Sequence, residues 1–521
     1  MHLTQAIQRN AQTKGGHTAL QCGELSRTWS EVEGRVARLA GALQSRGVEP
    51  GERVAMLALN SDRYYEYYYA VPWAGAVLVP LNIRWSVKEN LYSLNDSGAT
   101  VLFVDDMFQD VGQQLFELSD TLKLVIYTGD GETPQGMLNY EQLIAEAEPV
   151  SASECDTGEM AGIFYTGGTT GFPKGVMLSH QNIWTSTFSA MVDFDLHRRA
   201  DAVVLHAAPM FHLACGTMLW SSTIGGVTQT FVPAFESGRV LKIIEQERVT
   251  DTLLVPTMVS MLLASDALAG CDVSSLKQVV YGASPMPEGT LLEAMEKMPS
   301  VGFCQAYGQT ELSPIATILA PEYHVLEGPK AGKIRAAGRA GYCVTLEIRA
   351  ADGKALPAGT VGEVAVKGPN TMMGYWNNPE QTAKTLIDGW VMTGDAGYLD
   401  DDGFLFLVDR IKDMIVTGGE NVFSAEVESA VSKHPAVHEV VVIGIPSEQW
   451  GESVHAIVRL KPGESVEEVD IVNFCREEIA GYKVPRSVEF RQEPFPITGA
   501  GKLRKNSLRD PYWEGKDRKI N

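Results

Sequence analysis

The residues with the most evident chemistry form one string, Tyr165-Thr166-Gly167-Gly168-Thr169-Thr170-Gly171-Phe172-Pro173-Lys174-Gly175. Glycines let backbone N–H groups approach an anion, three threonine hydroxyls add donors, and Lys174 brings a positive charge, so the string is suited to phosphate. It is not a P-loop, because Pro173 precedes the lysine and Gly175 follows it where Gly-Lys-Ser/Thr is required. A bare Gly/Thr loop could equally be a surface connection, but the Pro-Lys-Gly ending makes this one more specific. Further along, Tyr307-Gly308-Gln309-Thr310-Glu311 offers a planar ring, a hydroxyl and a hard carboxylate, and Thr393-Gly394-Asp395 offers a two-oxygen acceptor. His212 ends the run Pro209-Met210-Phe211-His212, and Lys502 closes Gly499-Ala500-Gly501-Lys502. Alone, a histidine at a strand end is more often a core residue, and a lysine in a terminal Gly-rich loop is usually just solvated.

In this order, and over essentially the whole chain, these strings resemble the motifs of the AMP-forming adenylating enzymes. That superfamily comprises acyl-CoA synthetases, nonribosomal-peptide adenylation domains and firefly luciferase. The usual serine of the loop is Gly167 or Gly168 here, so one hydroxyl donor is missing. The resemblance implies a nucleotide site made of Thr166, Gly167, Gly168, Thr169, Thr170, Gly171, Lys174, Gly282, Ala283, Ser284, Gln305, Ala306, Tyr307, Gly308 and Thr310. Within it Tyr307 would stack on adenine, Thr310 would meet the α-phosphate, and Thr166 with Glu311 would hold Mg2+. Asp395 would take both ribose hydroxyls, with Arg410 also on the ribose. Lys502 is the implied catalytic lysine, joined by His212, Thr166 and Glu311 as the catalytic set. Trp184, His212, Cys215, Gly216, Tyr281 and Gly308 would wall the acid pocket, while Gly418, Gly419 and Glu420 would line the pantetheine channel.

The implied activity is a two-step carboxylic acid:CoA ligase using ATP, Mg2+ and CoA as co-substrate. Acyl-AMP and pyrophosphate form first, then acyl-CoA and AMP. The implied pocket residues are mixed apolar and small, which suits a fatty acyl chain or an arylalkenoic acid, and no cationic side chain stands among them for a second carboxylate; the expected acid is a medium- or long-chain fatty acid. The alternatives are an aryl or hydroxycinnamate acid, or a stand-alone adenylating enzyme with a non-CoA acceptor.

Elements must carry these groups. Ala161–Tyr165 is an apolar run that reads as a buried strand delivering the chain into the loop, and Val176–His180 resumes order after it. Upstream, Ser30-Glu31-Val32-Glu33 reads as a capping box opening a helix, followed by alternating strands and helices (53–59, 62–74, 76–81, 100–104, 124–127). The cluster Tyr64, Tyr65, Tyr67, Tyr68, Tyr69 reads as an aromatic helix face packed on a sheet. Residues 129–160 read as an acidic connector, 201–210 as a strand, and 278–281 as a strand running into Gly282. The fold class expected is α/β, with a large N-terminal multi-subdomain unit (1–409), a hinge at 410–412 centred on Lys412, and a small mobile C-terminal α/β unit (413–521).

Composition bounds the rest. The chain has 521 residues, 45% hydrophobic and 21% charged, with a formal net charge of −22. Such a charge argues against nucleic acid as a partner. No apolar run is long enough for an integral membrane segment, and the start lacks a signal-peptide pattern, so a cytoplasmic enzyme is expected. Seven scattered cysteines with no Cys-x-x-Cys fit free thiols. A homodimer is left open.

Overall fold

Tyr64, Tyr65, Tyr67, Tyr68 and Tyr69 all lie on the helix Asp62–Trp73, and all five are buried. The helix is therefore enclosed on every side rather than along one stripe, and each phenol needs a polar partner or a costly dry site. Tyr67 donates to the Val54 carbonyl at 2.8 Å and accepts from the Val79 N–H at 2.9 Å, tying the helix to two neighbouring strands. Ser61 caps it by accepting from the Tyr64 N–H at 3.1 Å.

The computed structural model describes residues 2–167, 172–199, 201–418, 420–496 and 503–514. The chain divides into two compact units, Met1–Leu346 with Val366–Met392, and Glu347–Ala365 with Thr393–Asn521. The second unit begins earlier than residue 410. From Thr393 onward the strand Trp390–Leu399 is paired with Leu405–Arg410, with Asp395 opposite Arg410, and this part of the hairpin belongs to the same compact unit as the C-terminal residues. That grouping reports compactness and leaves a hinge at 410–412 as a proposal about motion.

The first unit holds two sheets. One runs in the order Gly374–Tyr375, Lys174–Ser179, Met160–Thr166, Val77–Pro80, Arg53–Leu57, Ala99–Val104, Leu124–Tyr127, Leu138–Asn139. Its central pairs are parallel, as strand–helix–strand connections require. At the other end Met160–Thr166 and Lys174–Ser179 pair antiparallel with Thr166 opposite Lys174, so the Gly/Thr-rich string begins and ends on neighbouring strands. The second sheet contains Val203–His206, Asp251–Leu254, Gln278–Gly282 and Gly302–Gly308 as successive parallel neighbours, with Ile315–Leu319 antiparallel to the last.

Three local readings are corrected. The helix Trp29–Ser45 is capped by Thr28 rather than Ser30: Thr28 Oγ1 accepts from the Glu31 N–H at 3.3 Å and Glu31 Oε2 accepts from the Thr28 N–H at 2.7 Å. The strand expected over 201–210 is only Val203–His206, because Asn60 takes the following carbonyls; its Nδ2 donates to Ala208 O and its Oδ1 accepts from the Met210 N–H. The connector 129–160 contains the helix Tyr140–Glu146, whose Glu141 meets Arg35 at 2.8 Å.

The second unit has the helix Ser424–Ser432, a long hairpin Val437–Ser447 with Gly451–Leu460, the helix Glu468–Glu478 and the strand Ser487–Phe490 parallel to the hairpin's second arm. Its core is aliphatic, built on Val427, Val431, Val442, Val454, Ala456 and Ile471. All seven cysteines are free. Among the described residues no helix is long and apolar enough to cross a membrane.

Candidate active site

The loop is anchored at both arms. Tyr165 donates to Asp96 Oδ2 at 2.6 Å, and the Trp376 N–H donates to the Gly175 carbonyl at 2.8 Å. Thr166 and Lys174 are half-buried at the two ends of the turn, and Gly167 is exposed. Gly168, Thr169, Thr170 and Gly171 lie outside the described residues, as do Gly419 and Lys502.

Parallel pairing brings the next groups together. Gly282 lies opposite Ala306 and Tyr281 opposite Gln305, so Gly282-Ala283-Ser284 leaves the sheet beside Ala306-Tyr307-Gly308. Two glycines are required there: a Cβ on Gly282 would come within 2.1 Å of the Ala306 carbonyl oxygen, and one on Gly308, at φ +159°, within 1.9 Å of the Pro314 carbonyl oxygen. Ala283 holds φ +66°, an unusual conformation for a residue with a Cβ. Thr310 opens the short turn Thr310–Leu312.

Glu311, in that turn, is buried, and its Oε1 accepts from the Tyr375 hydroxyl at 2.6 Å. The Tyr375 ring lies under Lys174, whose Nζ is 5.7 Å from the ring centroid. Burial, and then the Glu311 charge, push the Tyr375 phenol upward, which keeps it a donor. A carboxylate such as that of Glu311 and a hydroxyl such as that of Thr166 are hard oxygen donors of the kind Mg2+ takes.

The residues named for the acid pocket stand in different surroundings. His212 is half-buried at the N-terminal boundary of the helix Leu213–Gly225, its ring 4.1 Å from that of Phe211. Cys215 points into the core with Sγ 3.7 Å from His206 Nδ1, and a Cβ on Gly216 would meet the Trp220 ring. Trp184 packs in a small apolar cluster with Leu3, Tyr69 and Trp220. The Tyr281 side chain is core as well, its hydroxyl 2.9 Å from His324 Nε2 and donating to Gln305 Oε1 at 3.3 Å.

On the second unit, Arg410 Nε meets Asp395 Oδ1 at 3.1 Å across the hairpin. Gly418, at φ +62°, donates its N–H to the Trp450 carbonyl at 2.8 Å, and a Cβ there would come within 2.9 Å of the indole. Arg486 lies over that indole at 4.6 Å, and Glu420 is exposed nearby in sequence. Lys505, three residues beyond Lys502, pairs with Glu428 at 2.8 Å; burial alone would lower its pKa, but Glu428, Asp409 and Asp413 hold it above the ordinary lysine value. Tyr375, Trp450, Arg486 and Lys505 carry no assigned role in the sequence reading, because their significance rests on partners distant in the chain.

Residues 7–376 match the family model described as AMP-binding enzyme, and residues 426–502 match the AMP-binding enzyme C-terminal domain. The chain belongs to the AMP-binding enzymes. It is similar to the feruloyl-CoA synthase of an Amycolatopsis species, 37% identical over 502 residues covering 96% of this chain and 97% of the relative. It is also 34% identical over 524 residues to the fatty acid–acyl-carrier-protein ligase ScoC of Streptomyces coeruleorubidus, covering 100% of this chain and 98% of that one. Among solved structures, the o-succinylbenzoate CoA synthetase of Bacillus subtilis, in complex with its acyl-adenylate intermediate, superposes with a TM-score of 0.83 at 30% identity, covering 97% of this chain and 98% of that one. The protein is thus an adenylating enzyme of the AMP-forming ligase class, with an α/β fold of large N-terminal and small C-terminal domains.

Proposed function

We propose that this AMP-binding enzyme is a carboxylic acid:CoA ligase. The observation that carries the reading is that Tyr375 lies under Lys174 and donates to the buried carboxylate of Glu311, which links the lysine arm of the Gly/Thr-rich string to a hard oxygen donor. In the first half-reaction a carboxylate oxygen attacks the α-phosphorus of ATP, the bond to the bridging oxygen breaks, and pyrophosphate leaves. In the second the CoA thiolate attacks the acyl carbon and AMP leaves. The first step moves almost no protons, so the residues act by position and charge. Lys174 and the loop N–H groups hold the departing phosphates, Tyr307 takes the base, Asp395 and Arg410 take the ribose, and Lys502 bridges the carboxylate and α-phosphate. Thr166 and Glu311 would hold Mg2+, which supplies charge neutralisation on the phosphates when bound. Arg486 and Trp450, beside Gly418, add a cation and a flat ring suited to CoA.

For the acid, the relatives move the weight from the fatty acid expected from sequence toward an arylalkenoic acid of the ferulate type. The feruloyl-CoA synthase is 37% identical, and the medium/long-chain fatty acid:CoA ligase FadD8 of Mycobacterium tuberculosis is 34% identical. A panel of ferulate, coumarate, octanoate and palmitate, read by acid-dependent pyrophosphate release with CoA, pantetheinylated carrier protein or no acceptor, tests both choices. Ferulate or coumarate turning over best, with thioester only on CoA, is the expected result. Carrier-only thioester would overturn the CoA assignment, and preference for palmitate would overturn the aryl one.

A further inference from the structure

Resting on that reading, we propose that Tyr375 is the positioning residue for the magnesium-binding carboxylate of Glu311, and that the segment 369–376 couples this carboxylate to the strand leaving the phosphate loop. Glu311 stands on a short turn, where its side chain has rotamer freedom unless something holds it. The Tyr375 hydroxyl takes Oε1 at 2.6 Å, so Oε2 is the oxygen left for a hard cation. Partners of this kind, one bond behind a metal ligand, fix its orientation and basicity.

The same segment grips both sides. Toward the glutamate, the Met372 N–H donates to the Glu311 carbonyl at 2.9 Å, and Asn370 Nδ2 donates to the Leu312 and Ile315 carbonyls at 2.8 and 2.9 Å. Toward the loop, Gly374 and Tyr375 pair with Met177 and Val176, the Met373 N–H donates to Met177 O at 2.9 Å, and the Trp376 N–H reaches Gly175 O. Glu311 is therefore fixed, in backbone and side chain, to the arm that carries Lys174. A phosphate-induced shift of that arm is transmitted to the carboxylate through a single short strand.

Tyr375→Phe removes the hydroxyl and keeps the ring under Lys174. The direct assay is Mn2+ titration of the full chain with α,β-methylene-ATP, followed by electron paramagnetic resonance, beside binding of the same nucleotide in EDTA. The expected result is a roughly tenfold to hundredfold loss of Mn2+ affinity, with metal-free nucleotide affinity and melting temperature close to the parent's. In turnover, the Mg2+ concentration giving half-maximal pyrophosphate release should rise, while kcat at saturating Mg2+ recovers in part. Wild-type Mn2+ affinity in Tyr375→Phe overturns the proposal, and so does an equal loss of metal-free nucleotide binding, which would mark a general packing role. Glu311→Gln run in parallel separates the two levels. If it too binds Mn2+ normally, the metal assignment of Glu311 itself fails; if it loses Mn2+ while Tyr375→Phe does not, only the positioning role fails.

Discussion

Glu311 and His212 invite different predictions although both lie in the first unit. The Glu311 carboxylate is buried with a phenol as its donor, and a glutamine in its place can still accept that hydrogen bond through Oε1. Glu311→Gln should therefore leave the far-ultraviolet circular dichroism and melting temperature near the parent's while turnover falls by at least about 10²-fold, the cost of one lost preorganised group. Unchanged turnover would remove Glu311 from the site. His212 is half-buried with its ring against that of Phe211. If its imidazole lines the acid's carboxylate, His212→Ala should impair adenylation with only a modest loss of stability, and calorimetry with acid-dependent pyrophosphate release on the same variant decides it. A large fall in melting temperature with normal adenylation would make His212 a packing residue.

At the scale of elements, the sharpest constraints are backbone approaches. A methyl group on Gly308 must push into the Pro314 carbonyl, which has no flexible end to yield. Gly308→Ala should cost well above the ~1 kcal/mol typical of point substitutions and weaken nucleotide binding. Gly34, within the helix Trp29–Ser45 and with open space around its would-be Cβ, is the control; Gly34→Ala should stabilise by about 0.5–1 kcal/mol. Urea unfolding of the two variants checks both signs. These elements were unevenly legible in the sequence. The strand into the phosphate loop was plain because Ala161–Tyr165 is apolar and the loop's composition is extreme. The cap of Trp29–Ser45 was misread because Ser30 and Glu33 fit the same pattern as Thr28 and Glu31, and only the path of the chain chooses between them. Tyr375 carried no local signal at all, since its partner is 64 residues away. Cys215 and Tyr281 stand in the acid pocket by resemblance alone; the direction of their side chains is set by helix phase and strand pleat once the neighbours are in place, and it brings them to His206 and His324.

At the scale of the molecule, the groups proposed for the first half-reaction come from both units of the chain, and Lys502 and Gly419 belong to the same one by chain position. A hinge at Arg410–Lys412 would let one active centre use these two in turn. Lys502→Ala should then block acyl-AMP formation yet still convert supplied acyl-AMP and CoA to thioester, while Gly419→Leu should release a stoichiometric burst of pyrophosphate but make thioester poorly. Equal impairment of both half-reactions by Lys502→Ala would contradict the alternation. The central claim, attack of a carboxylate on the α-phosphorus, is tested most directly with an acid labelled with 18O in both carboxyl oxygens, turned over with ATP, Mg2+ and CoA. The account predicts AMP carrying one 18O, with unlabelled pyrophosphate in equal amount. Label in inorganic phosphate with ADP as the nucleotide product would contradict it.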